Sequence, residues 1–94
     1  SASEEAIYLD TRQADVDVML PKARGKGLAV CRREGKGWEL IPVRGNVAFR
    51  IGGTVARALD VDRNDLGTVR LLRTDDGFIS VEPRAGAFSY QILP

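Results

Sequence analysis

Between Arg44 and Pro83 the chain reads RGNVAFRIGGTVARALDVDRNDLGTVRLLRTDDGFISVEP, a series of short apolar runs cut every few residues by glycine, proline or an Asp-Gly pair. Val47, Phe49 and Ile51 alternate with Ala48 and Arg50, the period-two pattern of a strand with one buried and one wet face, and it places Arg50 on the wet face. Gly52-Gly53 ends that strand. Thr54 offers a capping hydroxyl, and Val55 and Leu59 stand four apart, so the spacing predicts a short helix over 54–60. A polar loop over 62–67 follows. Val69, Leu71 and Leu72 then resume a strand, which Asp75-Asp76-Gly77 turns back onto Phe78, Ile79 and Val81. An Asp-Gly pair between apolar runs favours a tight hairpin in which both central residues take positive φ. The unit reads β–α–β–β in about forty residues, with a helix too short to be stable alone.

The flanks are also strand-like. Residues 1–5 are small and acidic and are expected to form a flexible end, with one domain over 6–94. Ala6 to Leu9 is a candidate first strand and 10–15 a polar connection. Val16, Val18 and Leu20 predict a second strand ended by Pro21. Leu28, Val30 and Cys31 lead into a turn rich in glycine and charge, and Trp38, Leu40 and Ile41 return before Pro42. At the other end Phe88, Tyr90 and Ile92 share one face of a closing strand. Segments 16–43 and 47–83 run in parallel: an apolar strand, a connection, a strand, then a Gly-aromatic pair and a proline (Gly37-Trp38 and Pro42; Gly77-Phe78 and Pro83). This is a candidate pseudo-repeat, able to build from one chain a pseudo-twofold barrel.

Composition limits the chemistry more than it directs it. Ninety-four residues with 44% hydrophobic and 29% charged side chains describe one ordinary globular domain, and the net charge of +1 makes any polyanion argument depend on local clustering. There is no histidine, and Cys31 is the single cysteine, so neither a disulfide nor a Cys/His zinc site can form within the chain. With no histidine base and no serine in a nucleophile motif, no catalytic residue and no cofactor are expected. The acidic residues near 60–65 and 75–76 do not have the spacing of a calcium loop. No apolar run reaches membrane-spanning length, and a cytoplasmic location is expected.

The most lopsided charge lies between Lys22 and Lys36, where Lys22, Arg24, Lys26, Arg32, Arg33 and Lys36 face the single acid Glu34. On a small β-fold such residues can grip phosphates, and an arginine can also read a guanine edge through its two-pronged guanidinium. Trp38 beside this loop is the one aromatic placed to stack on a base; Trp38, Phe49, Phe78, Phe88 and Tyr90 are otherwise expected in the core.

The stretch 44–83 resembles the DNA-binding domain of the AbrB and MazE group of bacterial transition-state regulators and antitoxins. The resemblance rests on Gly45-Asn46, Arg50-Ile51, Ala58-Leu59, Val69, Asp76-Gly77 and Glu82-Pro83, in that order. It implies a mainly β fold, a small barrel of the swapped-hairpin or the related double-psi type with one short helix. It also implies a non-enzymatic module of transcriptional control that binds double-stranded DNA as a homodimer, with Arg44, Asn46 and Arg50 among the contacts. The eleven residues after Pro83 contain no acid, unlike the acidic tails of MazE-type antitoxins, so toxin neutralisation is not expected. The alternative within the double-psi group is a protein-interaction barrel similar to the substrate-recruiting amino-terminal domains of AAA ATPases, with a protein partner in place of DNA.

Overall fold

The computed structural model describes residues 6–11 and 17–94, and the residues at 1–5 and 12–16, including the expected flexible end and the start of the second predicted strand, lie outside them. Among the described residues nine strands form, in chain order β1 (Ala6–Asp10), β2 (Val18–Met19), β3 (Ala23–Glu34), β4 (Gly37–Arg50), β5 (Val55–Leu59), β6 (Asp65–Val69), β7 (Leu71–Arg73), β8 (Phe78–Val81) and β9 (Ser89–Leu93). All pairings are antiparallel, and the main path across the sheet is β1-β3-β4-β9-β5-β6.

The β3–β4 hairpin is the spine. Its sequence predicts three short strands, near 28–31, 38–41 and 47–51, yet the ladder runs from Glu34↔Gly37 at the tip to Ala23↔Phe49 at the base, with one shift between Leu28 and Ala29. Both expected interruptions are absorbed. Pro42 sits beside the shift, where the unpaired Val43 forms a bulge and a missing amide costs least. The glycines at 25, 27 and 45 lie in the ladder at φ +132°, +137° and +73°, where the two backbones approach too closely for any side chain.

The ribbon serves two sets of partners. Its tip half pairs with β1 on one edge and β9 on the other, and its base half with β2 and β8. Beyond β9 lie β5 and β6; beyond β8 lies β7. One core joins the halves: Leu9, Cys31 and Leu40 from the tip side, Phe49 and Ile79 from the base side, and Tyr90 and Ile92 from β9 are all buried in a single cluster.

The mainly β expectation holds, while two details differ. The sheet is not closed into a barrel: among the described residues β1 and β6 end the path and do not pair with each other. Edge strand β6 is short, is bulged at the unpaired Leu66 opposite Ala58/Leu59, and carries Asp65, which accepts a hydrogen bond from Arg57 Nε at 3.0 Å, features that discourage further pairing. The second detail is the helix predicted over 54–60, which is strand β5. Five residues cannot offset the cost of starting a helix, and Ala56 and Ala58 alternate into the core while the backbone pairs with β6 on one side and β9 on the other.

The hairpin predicted at 75–77 forms, with the Gly77 amide donating to the Thr74 carbonyl at 3.0 Å. Only Gly77 takes positive φ, at +87°, and Asp76 does not, so a longer turn with glycine in its last position replaces the tight two-residue one. The Thr74 hydroxyl donates to the Asp76 carboxylate and accepts from the Phe78 amide at 3.0 Å, which fixes the turn from within. Of the five aromatics expected in the core only Phe88 misses it; it is half exposed, since β9 begins one residue later.

Candidate nucleic-acid interface

Residues from the tip and from the base of the β3–β4 ribbon line the same cleft. Lys22 precedes β3 and Arg50 ends β4, and the Arg50 amide donates to the Lys22 carbonyl at 2.9 Å, which sets these two residues side by side. Arg33 and Lys36 belong to the tip. All four line one open cleft of about 470 Å3, together with Ile7, Trp38, Ile51, the Gly52-Gly53 backbone and Pro94, and among the described residues its lining includes no acidic side chain. Arg33 lies over the Trp38 ring at 4.4 Å from the centroid, an arrangement that the register favours, since Arg33 and Trp38 are directly paired across the hairpin. Lys22, Lys36 and Arg50 are exposed, and among the described residues no ion pair involves any of the four cations. Arg73, which sequence reasoning did not single out, hydrogen-bonds the Gly53 carbonyl at the cleft rim. No local pattern marks it, because the contact depends on how β7 is carried beside β4 through β8.

The other five candidate residues go elsewhere. Arg32 is consumed by Glu39, whose carboxylate is buried and receives Arg32 Nε at 2.9 Å, Arg63 at 2.9 Å and the Ser89 hydroxyl at 2.8 Å. Arg24 is held inside the fold. It pairs with Asp76 and stacks 3.6 Å from the Phe78 centroid, and its Nε is buried without a hydrogen-bond partner. Arg44 and Asn46 stand exposed in the middle of β4 and line a separate apolar groove with Arg24; with Lys26 they border a smaller hollow that includes Asp17. The structure thus unites Lys22, Arg33, Lys36 and Arg50, and separates them from Arg24, Lys26, Arg32, Arg44 and Asn46.

Glu39 sits opposite Gln91 on β9 and ties the ribbon to the 60–64 turn. Burial alone would raise its pKa, but hydrogen bonds from Arg32, Ser89 and Arg63, with the charge of Arg32, outweigh burial and hold it below the ordinary value of 4.5. A folded-state pKa below the unfolded one gives a contribution that is complete above pH 4.5 and fades as pH falls through the lower folded value. Glu39→Gln should therefore cost about 2 kcal/mol at pH 7, because the partners of a buried carboxylate lose its charge. The gap between variant and parent should narrow steadily below pH 4.5, and denaturant melts at pH 7 and pH 3 check this. A gap that is equal at both pH values would exclude Glu39 as the ionised hub.

Cys31 packs in the core, and burial, opposed in part by the charge of Arg33, pushes its thiol up to about 12, so at neutral pH it is a protonated packing group. Comparison of the chain with protein-family models, with curated proteins and with solved structures finds no match.

Proposed function

We propose that this domain is a non-enzymatic nucleic-acid-binding module that holds the phosphate backbone of duplex DNA in the cleft lined by Lys22, Arg33, Lys36 and Arg50. The observation that carries the reading is the convergence of four cations, drawn from opposite ends of one hairpin, on a concave surface lined, among the described residues, by no carboxylate side chain. Positive charges gathered in a cleft repel one another. A polyanion relieves that repulsion and releases its own counterions on binding. Arg33 is pre-oriented on Trp38, so little side-chain freedom is lost when it engages a phosphate. Arg50 belongs both to this cleft and to the contacts that the AbrB/MazE resemblance implies, and a role in bacterial transcriptional control, exercised as a homodimer, is the biological form of the proposal.

The test is titration of the chain against fluorescent random-sequence duplex DNA at several salt concentrations, with molecular mass recorded by light scattering in the same buffers. Three to four phosphate contacts predict a slope of log K against log salt of about −3. A slope near zero, or no binding at low salt and micromolar protein, would overturn the reading.

A further inference from the structure

Strand β4 is paired with β3 from Gly37 to Phe49 except at the bulged Val43, but its other edge is not. β9 covers Trp38 to Leu40 and β8 covers Phe49 and Arg50, so no strand of the described chain pairs with that edge from Ile41 to Ala48. The sheet splits here, and an open groove of about 560 Å3 lies in the gap. Val43 and Val47 of β4 line one wall, and Leu72, Val81 and Pro83 line the other, with Tyr90 also in the lining. The apolar lining is accessible: Val43, pushed out by the bulge, is 61% exposed and Leu72 39%. In an antiparallel ladder the peptide groups of alternate residues turn away from the partner strand. Since Arg50 bonds Lys22, the Val47 amide and carbonyl fall in the set facing away from β3.

Charge selects the occupant. Arg24, Arg44 and Arg84 line the groove, and among the described residues no acidic one does. Arg24 already has Asp76, which leaves Arg44 and Arg84, both exposed and without an ion pair among the described residues. We infer that this groove is a docking site for an extended acidic-apolar segment of a partner protein, which adds as a strand to the free edge of β4, inserts alternate apolar side chains between β4 and β8, and sets carboxylates against Arg44 and Arg84. The main-chain bonds of such an added strand supply affinity, and the alternating pockets and rim charges supply selectivity. The site is separate from the cationic cleft and does not depend on the DNA-binding reading.

The experiment is an amide-resolved NMR titration of the chain with two synthetic hexapeptides, Glu-Val-Thr-Val-Glu-Val and its lysine counterpart Lys-Val-Thr-Val-Lys-Val, both capped. The acidic peptide should shift amides over residues 43–48 and 80–84, with slowed exchange at Val47, and should bind at least about tenfold more tightly than the basic one. Both arginines are exposed, so the double variant Arg44→Glu, Arg84→Glu should keep its melting temperature while reversing the preference. The inference is overturned by shifts confined to the cationic cleft, by equal response to the two peptides, by no shift at millimolar peptide, or by peptide-independent shifts at 43–48 that grow with protein concentration. The last result would assign the edge to a second copy of the chain.

Discussion

Gly27→Ala should destabilise the domain by about 4 kcal/mol, a large part of the total stability of a domain this size. The argument has two parts. Gly27 has φ of +137°, which an L side chain adopts only at a cost of about 1–3 kcal/mol. Its added Cβ would also lie 2.0 Å from the Arg44 carbonyl oxygen, 2.8 Å from the Arg44 carbonyl carbon and 2.9 Å from Gly45 Cα, all of them backbone atoms. Relief therefore requires a strand to move, and overpacking of that kind costs about 1–3 kcal/mol more. Movement is blocked on the far side as well. The Gly27 amide donates to the buried Thr11 hydroxyl at 2.7 Å, and the Gly27 carbonyl accepts from the Thr11 amide at 2.8 Å. Gly35→Ala is the control: Gly35 also has positive φ, +58°, but a Cβ there meets nothing within 4 Å, so only the backbone cost of about 1–2 kcal/mol remains. Guanidinium melts of the two variants separate conformational strain from strand contact. If the two losses agree to within 1 kcal/mol, β3 and β4 do not approach at Gly27 as the structure has them.

The same glycines show why this fold is only partly legible in its sequence. Where apolar residues alternate and a turn is marked by Asp-Gly, local pattern and structure agree, as at Leu71 to Val81 and at Tyr90 and Ile92. Where the structure depends on what lies across the sheet, local pattern misleads. Lys22 to Gly27 shows in sequence only as a glycine-rich, basic stretch, yet its glycines lie where two backbones touch. Val55 to Leu59 fits a helical face through Val55 and Leu59 and a strand through Ala56 and Ala58. Strands β6 and β9, brought from elsewhere in the chain, decide between them. The candidate site divides in the same way. Charge clustering finds Lys22, Arg33 and Lys36 and strand alternation finds Arg50, but neither foresees that Glu39 captures Arg32 or that Asp76 and Phe78 capture Arg24. The Arg33–Trp38 stack was within reach: a turn fixed at 34–37 sets those two residues opposite one another.

Reversing two charges of the cleft, Lys36→Glu with Arg50→Glu, should weaken duplex DNA binding at least about a hundredfold at low salt and lower the salt slope by about two. Both side chains are exposed, neither has an ion pair among the described residues, and Arg50 contributes only its backbone to the ladder. Substitutions of that kind change stability by about 0.5 kcal/mol or less, so the melting temperature should stay nearly constant. A comparison is needed because any loss of positive charge reduces attraction to a polyanion from a distance. Arg70→Glu with Arg84→Glu supplies it: the change in net charge is the same, and both residues line a shallow hollow beside Glu82 and Pro83, outside the cationic cleft. If the cleft holds phosphate, the first pair loses far more affinity than the second, and the difference shrinks as salt rises and contact charges are screened. Equal losses would mean that DNA responds to the overall field of the domain and has no seat between Lys22 and Arg50. A loss accompanied by a fall in melting temperature for the cleft pair alone would identify Lys36 and Arg50 as supports of the ribbon rather than as ligand contacts.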